Sequence, residues 1–409
     1  METVKRSTKH TTATQSVLIR RHVRVPDPVK AARYARSPEL GPKLLFFSGG
    51  TALKRTCKTL IQYTHHSRHI ITAFDSGGSS AQIRKTFSML SIGDLRNRLM
   101  TLADQTIKGN PNIYELFSYR LPVDQPSVML LKKLENLAQG CDSLVDDIPT
   151  PMRDIICNHL QHFLSVMPDD FDLRGANIGN LILTAGYLMN HRQIDTVLYL
   201  FSRLIEARGH VRPVVTENLH LGVELKNGAI TIGQHLITNG FARDQKSPVK
   251  KLFLSASAES PQPVDVDINR ATAECIRQAE VICYPMGSFF SSVAANLLPR
   301  GVANAVTANL CPKIYIPNTL ADNEQFGMNL GDAVEMLVQC LNQNGQQASP
   351  REYINLILID TTQAKYPYDL ELSRIRDMGI DVLDTQLVTP HSFPYVDPER
   401  LCHVLLSLT

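Results

Sequence analysis

Among the eight cysteines, at positions 57, 141, 157, 275, 283, 311, 340 and 402, there is no Cys-x-x-Cys pair and no zinc-ligand spacing. A disulfide framework and a structural zinc site are excluded as organising devices, and a reduced, cytoplasmic setting fits the chain. Several of these thiols lie in apolar runs such as Val281 to Tyr284, where cysteine behaves as a small core hydrophobe. No apolar run reaches membrane-spanning length and no signal-peptide core follows Met1, so no membrane partner is expected. Charge of one sign is also lacking: the net charge is +3, and residues 1–40 alone carry nine Lys/Arg against three Asp/Glu. The remainder is slightly acidic, which argues against nucleic acid as a partner. The first 16 residues, rich in Ser, Thr and Lys, lack an amphipathic arginine helix and read as a disordered basic tail rather than a transit peptide.

Several motifs are missing as well. No Gly-Lys-Ser/Thr closes a Walker loop, no Gly-x-Gly-x-x-Gly is present, and no Gly-x-Ser-x-Gly elbow supplies a nucleophile. His65, His66 and His69 have no carboxylate at ligand spacing, and His159 and His162 read as a solvated pair on one helix face.

What is present is a length of 409 residues with 43% hydrophobic and 20% charged composition, enough for a core without staples. Apolar runs at Lys43 to Phe47 and His69 to Phe74 are each followed by a glycine loop and a helical pattern. The order strand, loop, helix resumes near Asp267, with strands at Glu280 to Tyr284, Lys313 to Pro317 and Asn355 to Asp360 and helices between them, one of them over Phe289 to Leu298. Such alternation predicts an α/β fold, a Rossmann-like, mostly parallel sheet with helices on both faces. Mixed helical periodicity over about 101–170 predicts a helical insertion, and the Asn227-Gly228 turn between β-like pieces predicts an embedded hairpin. Residues 1–40 read as a basic extension, with an edge strand over Ser16 to Val25 and a short helix over Val29 to Arg36, ahead of one domain spanning 41–409.

Three loops within Lys43 to Asn97 carry the candidate chemistry. Gly49, Gly50 and Thr51 follow the first strand, and small residues there let a backbone approach phosphate. Asp75 ends the second strand, where open α/β sheets bind ligands, and Gly77, Gly78, Ser79 and Ser80 offer donors beside it. A carboxylate among phosphate donors is repulsive unless a cation or a hydroxyl lies between, so Asp75 reads as a magnesium ligand or a hydroxyl or base reader, or else as a helix cap. Gly93 to Asn97 adds Asp94 as a second carboxylate, Arg96 for bidentate phosphate recognition and the Asn97 amide. Near the other end, the loop from Pro285 to Ser288 has the same small-residue character.

These motifs, in this order, make the chain similar to the CofD-like superfamily, which includes the 2-phospho-L-lactate transferase of coenzyme F420 synthesis and YvcK-type gluconeogenesis factors that bind UDP-sugars. The likeness runs from about Lys43 to Leu341 and rests on Gly49-Gly50-Thr51, on Asp75 to Ser80, on Gly93 to Asn97, on Gly179-Asn180, on Gly287-Ser288 with Asn296 to Leu298, and on Lys313 to Asn318. More narrowly, the first two loops resemble the CofD-like proteins of bacterial GAK gene clusters. The chain departs from the pattern at Ala52, which replaces a glycine, in an Asp-Asp pair that keeps one carboxylate, and at Ala176, which replaces a histidine. The resemblance implies a magnesium-assisted transfer of a phosphorus-containing group from a nucleotide-activated donor to an acceptor hydroxyl, or else a regulator that binds a nucleotide sugar without turnover. It places Gly49, Gly50, Thr51, Gly287 and Ser288 on phosphates, Asp75 and Asp94 on the metal, Arg96 and Asn97 on a phosphate, and Asn180 and Asn318 along the cleft. It also implies a homodimer.

Overall fold

The computed structural model describes residues 22–104, 110–240, 247–343 and 347–409. Most of the edge strand expected at 16–25 lies outside the described residues, and 22–25 carry no regular structure.

Seven strands form one parallel sheet: β1 (Leu44–Ser48), β2 (Arg68–Ile71), β3 (His210–Pro213), β7 (Val281–Tyr284), β8 (Lys313–Tyr315), β9 (Leu356–Ile359) and β10 (Asp381–Asp384), in the order β10-β9-β8-β7-β1-β2-β3. Every pairing between them is parallel. Parallel strands are covered on both faces, so their sequences run apolar without alternation. In β1, Leu44 and Phe46 enter one core while Leu45 and Phe47 enter the other, the period of two expected of a strand. The expectation of a mostly parallel Rossmann-like sheet is met.

Helices α1 (Pro28–Arg36), α2 (Lys54–Leu60), α3 (Gly78–Phe87) and α4 (Gly93–Leu102) surround the first two strands. Asp27 caps α1 by accepting from the amides of Val29 and Lys30, and the Asp27 amide donates to Ser407 Oγ at 2.7 Å in the C-terminal helix Pro398–Ser407. The basic segment from residue 27 onward is therefore docked on the body. Between α4 and β3 lie the helices Pro111–Ser118, Ser127–Ala138, Met152–Val166, Ile178–Met189 and Ile194–Leu204, which share the core with one face of the sheet.

The hairpin expected around Asn227-Gly228 is present as β4 (His220–Leu225) and β5 (Ile230–Ile232), but a third antiparallel strand, β6 (Val249–Ser255), completes it. Residues 214–216, read as β-like, follow β3 rather than forming a strand. The helix expected over Phe289 to Leu298 is an irregular one, a wide turn at Phe289–Val293 followed by a tight turn at Ala294–Leu297.

The chain moves outward from β1 to β2 and β3, then returns to the opposite side of β1 and continues through β7 to β10. The strand order thus reverses between β1 and β7. Ligands in open α/β sheets bind outside the carboxyl ends of strands at such a reversal.

Candidate functional site

The loop leaving β1 is held from below and above. Arg98 is completely buried, and its guanidinium donates to Gly49 O at 2.7 Å, to Ser48 Oγ at 3.3 Å and to Cys57 Sγ at 2.7 Å. On the other side the Asp94 carboxylate accepts the Gly50 N–H. A Cβ on Gly50 would stand 2.2 Å from Asp94 Oδ1, and one on Gly49 would stand 2.4 Å from Ser292 Oγ. Both glycines are required by close approach, and the Gly50 amide expected on a phosphate is used to seat Asp94.

Asp75 stands in the loop between β2 and α3. Its Oδ1 accepts the Gly77 N–H at 3.0 Å, and its Oδ2 faces the start of α4, 3.3 Å from where a Cβ on Gly93 would lie. The same position would lie 2.4 Å from Ser80 Oγ, so only glycine fits there. Arg84, buried within α3, fixes the loop by donating to the carbonyls of Phe74 and Asp75, both at 3.1 Å, and to Leu219 O at 2.6 Å. Burial lowers its guanidinium to about 10, against the opposing pull of Asp75.

Asp94 and Asp75 belong to one cluster. Burial, and then repulsion from Asp75, push the Asp94 carboxyl up to about 6 despite the Gly50 amide and the nearby Arg98 and Arg96. Among the described residues no group of three or more His, Cys, Asp or Glu side chains gathers as a metal cage. Two carboxylates with the Ser80 hydroxyl beside them are hard oxygen donors, a set that fits magnesium, which keeps waters and takes one or two protein carboxylates.

Next to Gly50 and Thr51 opens a pocket of about 290 Å³ with Lys54, Arg96 and Arg120 in its wall and no carboxylate among its lining residues. Arg96 donates to Phe117 O at 3.0 Å and to Asn97 Oδ1 at 2.5 Å, while its buried Nε has no partner. Burial and then the Arg120 charge lower Arg96 to about 10. Arg120 reaches the pocket from beyond the helix Pro111–Ser118, donating to Gly175 O at 3.0 Å and Ser79 Oγ at 3.4 Å. Asn180 Nδ2 also donates to Ser79 Oγ, at 3.3 Å, and the buried Asn180 Oδ1 is left without a partner. Ser79, Arg96, Asn97 and Asn180 are therefore brought together around Arg120.

The loop leaving β7 differs. Asn318 clasps Gly287, accepting its N–H at 2.9 Å and donating to its carbonyl at 2.7 Å. The Phe289 amide donates to Asp322 at 2.7 Å, and the amides of Phe290 and Ser291 donate to Glu324 at 2.7 and 2.8 Å. Burial, then the Glu324 charge, push Asp322 up to about 6. The Gly287 amide, expected with Ser288 on a phosphate, is taken by Asn318, and the next amides of the turn, from Phe289 to Ser291, are taken by the two carboxylates. Asn318, expected along the cleft, has both ends of its amide committed to Gly287.

Sequence reasoning missed Lys54, Arg84, Arg98, Arg120 and the pair formed by Ser76 Oγ and His235 Nδ1 at 2.7 Å. Arg98, two residues after Arg96, could have been flagged by proximity to the motif; Arg120 and His235 arrive through insertions and carry no local signal.

The model of the family described as "2-phospho-L-lactate transferase CofD" matches residues 44–388. A gluconeogenesis factor of Listeria monocytogenes is 28% identical over 355 residues, covering 86% of this chain and 88% of the relative. The gluconeogenesis factor of Bacillus subtilis is 25% identical over 360 residues, covering 85% and 92%. A solved UPF0052-family structure from Bacillus halodurans superposes with a TM-score of 0.66 at 21% identity, over 89% of this chain and 99% of that one, and so shares the fold. With the family match spanning the parallel sheet from β1 to beyond β10, the chain belongs to the CofD family.

Proposed function

We propose that the cleft binds the phosphates of a nucleotide-activated donor and transfers its phosphorus-containing group to an acceptor hydroxyl, releasing the nucleotide. The observation that carries this reading is the basic pocket beside Gly50 and Thr51, where Lys54, Arg96 and Arg120 converge with no carboxylate in the lining. Two guanidiniums that repel each other, one with a buried Nε lacking a partner, are relieved by an anion placed between them. Thr51 and Asn97 line the same space, and Ser79, with Asn180 behind it, adjoins it through Arg120. In this reading Asp75, whose charge acts on the Asp94 carboxyl that seats Gly50, orients the acceptor hydroxyl and accepts its proton as the new oxygen–phosphorus bond forms and the bond to the departing nucleotide breaks. Asp75 and Asp94 would hold magnesium, which when bound supplies neutralising charge for the phosphates. Catalysis by such a site rests on positioning and charge rather than on a covalent intermediate.

A second reading is favoured by the relatives' names: proteins named as gluconeogenesis factors rather than as transferases support a regulator without turnover, for which the resemblance implies a nucleotide sugar as ligand. One experiment separates the two. Purified chain is incubated with nucleotide-activated donors, magnesium and candidate hydroxyl acceptors, and released nucleotide is measured. Release that depends on acceptor and on Asp75 supports the transferase; saturable binding without release over the whole panel supports the regulator.

A further inference from the structure

A hollow of about 330 Å³ lies at the free edge of the parallel sheet. Arg68, which opens β2, and His210, which opens β3, both line it, so it sits at the end of the strands opposite to the glycine loops. Its floor is β3, and its sides are the helix Ile194–Leu204 and a further helix, Arg270–Arg277. Helix α4 gives Leu99 to this space and Arg96, Asn97, Met100 and Thr101 to the basic pocket of the cleft, so the two sites are distinct and share one helix.

One part of the lining is basic. Arg212 donates to Asp195 Oδ2 at 2.6 Å, while its buried Nε has no partner. Arg68 donates to Cys275 O and to Gln278 Oε1, both at 2.9 Å. Desolvation, then the charges of Arg68, His66, Arg203 and Arg212, hold the His210 imidazole below its ordinary value, so several basic groups crowd together here. The His210 amide donates to Ser67 O at 2.8 Å and the Val214 amide to Ile71 O at 3.0 Å, so alternate residues of β3 face β2, and Val211 turns its own amide toward the open edge. An anion set among these groups relieves their repulsion and gives the Arg212 Nε–H an acceptor.

The rest of the lining has another chemistry. Asp195, Glu274 and Gln278 are acceptors, Ser202 adds a hydroxyl, and the Tyr199 ring, 64% exposed, stands in the wall with Arg203 Cζ 5.3 Å from its centroid. Carboxylates so placed repel a bare polyanion but accept hydroxyl groups, and an aromatic face packs on the C–H face of a sugar ring. A ligand that is anionic at one end and polyhydroxylated at the other meets both halves. We propose that this edge hollow binds a sugar monophosphate, its phosphate held by Arg68, His210 and Arg212, its hydroxyls by Asp195 and Glu274, and its ring against Tyr199.

The test is calorimetric titration of the full chain with glucose 6-phosphate, glucose 1-phosphate, fructose 6-phosphate and ribose 5-phosphate, with inorganic phosphate and glucose as controls. At least one sugar phosphate should bind about tenfold or more tightly than either control. Arg212→Ala and His210→Ala should each weaken it about tenfold, the scale of a charge-assisted contact, and Tyr199→Ala should weaken it about three- to tenfold while leaving inorganic phosphate unchanged. Arg120→Ala, which alters only the cleft, should leave it unchanged. An unchanged melting temperature in Tyr199→Ala and His210→Ala shows that the loss is local. The edge site is overturned if no sugar phosphate binds, if inorganic phosphate binds as tightly as every sugar phosphate, or if affinity survives in Arg212→Ala and His210→Ala but is lost in Arg120→Ala, which would move the ligand to the cleft. The transferase and regulator readings rest on the donor assay and stand whichever way this titration falls.

Discussion

The loops after β1 and after β7 begin alike, as an apolar strand running into small residues and then a helical turn, yet they end with opposite electrostatics. After β1 the downstream sequence supplies Arg96, Arg98 and Lys54, and the loop faces a pocket with no carboxylate in its lining. After β7 it supplies Asp322 and Glu324, which consume the amides of Phe289, Phe290 and Ser291. Both loops give an amide to a carboxylate, Gly50 to Asp94 and Phe289 to Asp322, so the difference lies in the surroundings: cations line the space beside the first, and a second acid, Glu324, takes the next two amides of the other.

The largest effect is expected from breaking the second of these arrangements. Glu324 is 2% exposed and also accepts from Ser291 Oγ at 2.6 Å and Thr238 Oγ1 at 2.8 Å. Glu324→Ala leaves these buried donors without a partner and should cost about 3–5 kcal/mol in urea unfolding. Nucleotide affinity of the folded fraction should change little, because the pocket proposed for the phosphates is lined by Thr51, Lys54, Arg96 and Arg120 and not by Glu324 or the residues it holds. A stable variant with lost binding would reverse the assignment of the two loops.

On the β1 and β2 side the corresponding break is chemical rather than structural. Asp75→Asn keeps an oxygen to accept the Gly77 N–H, so the loop should hold its shape while the carboxylate charge is lost. Nucleotide release in the transfer assay should fall by roughly a hundredfold or more, with nucleotide affinity retained. Full turnover in this variant would remove Asp75 from the chemistry.

How far the sequence foretold this difference depends on range. The parallel sheet was legible because strands covered on both faces need unbroken apolar runs, as Leu44 to Phe47 and Val281 to Tyr284 have. The cluster of Gly49, Gly50, Asp75, Asp94 and Arg96 was legible because it occupies a single stretch. Arg120 was hidden, since it reaches Ser79 only after the insertion folds back, and the capture of the β7 loop was hidden because Asp322 and Glu324 lie more than 30 residues downstream. Two short strands, β3 and β10, were unread, as half-exposed edge pieces of four residues have no distinctive period.

Within the basic pocket the three cations should not be equivalent. Lys54→Ala and Arg120→Ala should each weaken pyrophosphate binding about tenfold, the lower end of a charge-assisted contact, with unfolding unchanged within about 0.5 kcal/mol. Arg96→Ala should lose both affinity and stability, because its guanidinium also holds Phe117 O and its stem packs against Gly179. Equal stability in all three variants would show that Arg96 is not part of the scaffold.

The smallest expected effect is the dependence of stability on pH, and it touches both loops. Asp322 and Asp94 each have a folded-state value near 6, above the ordinary carboxyl value of 3.8, with burial as the first cause in both. Between about pH 4 and 6 the folded chain retains protons that the unfolded chain has released. The stability associated with each group is therefore fully present below about pH 4 and is lost as pH rises through 6, by an amount of order 1–3 kcal/mol per group. Other carboxyls, such as Asp360, are held below the usual range because backbone amides outweigh burial, and these act in the opposite direction, so the whole-protein profile mixes signs. Differences between variants isolate each share. Relative to wild type, Asp322→Asn should gain stability as pH rises from 4 to 6.5 and hold a constant offset above that, and Asp94→Asn should do the same for the β1 loop. A pH-independent offset in either case would mean that its carboxyl titrates like an exposed one, and that the corresponding loop is open to water rather than closed over its acid.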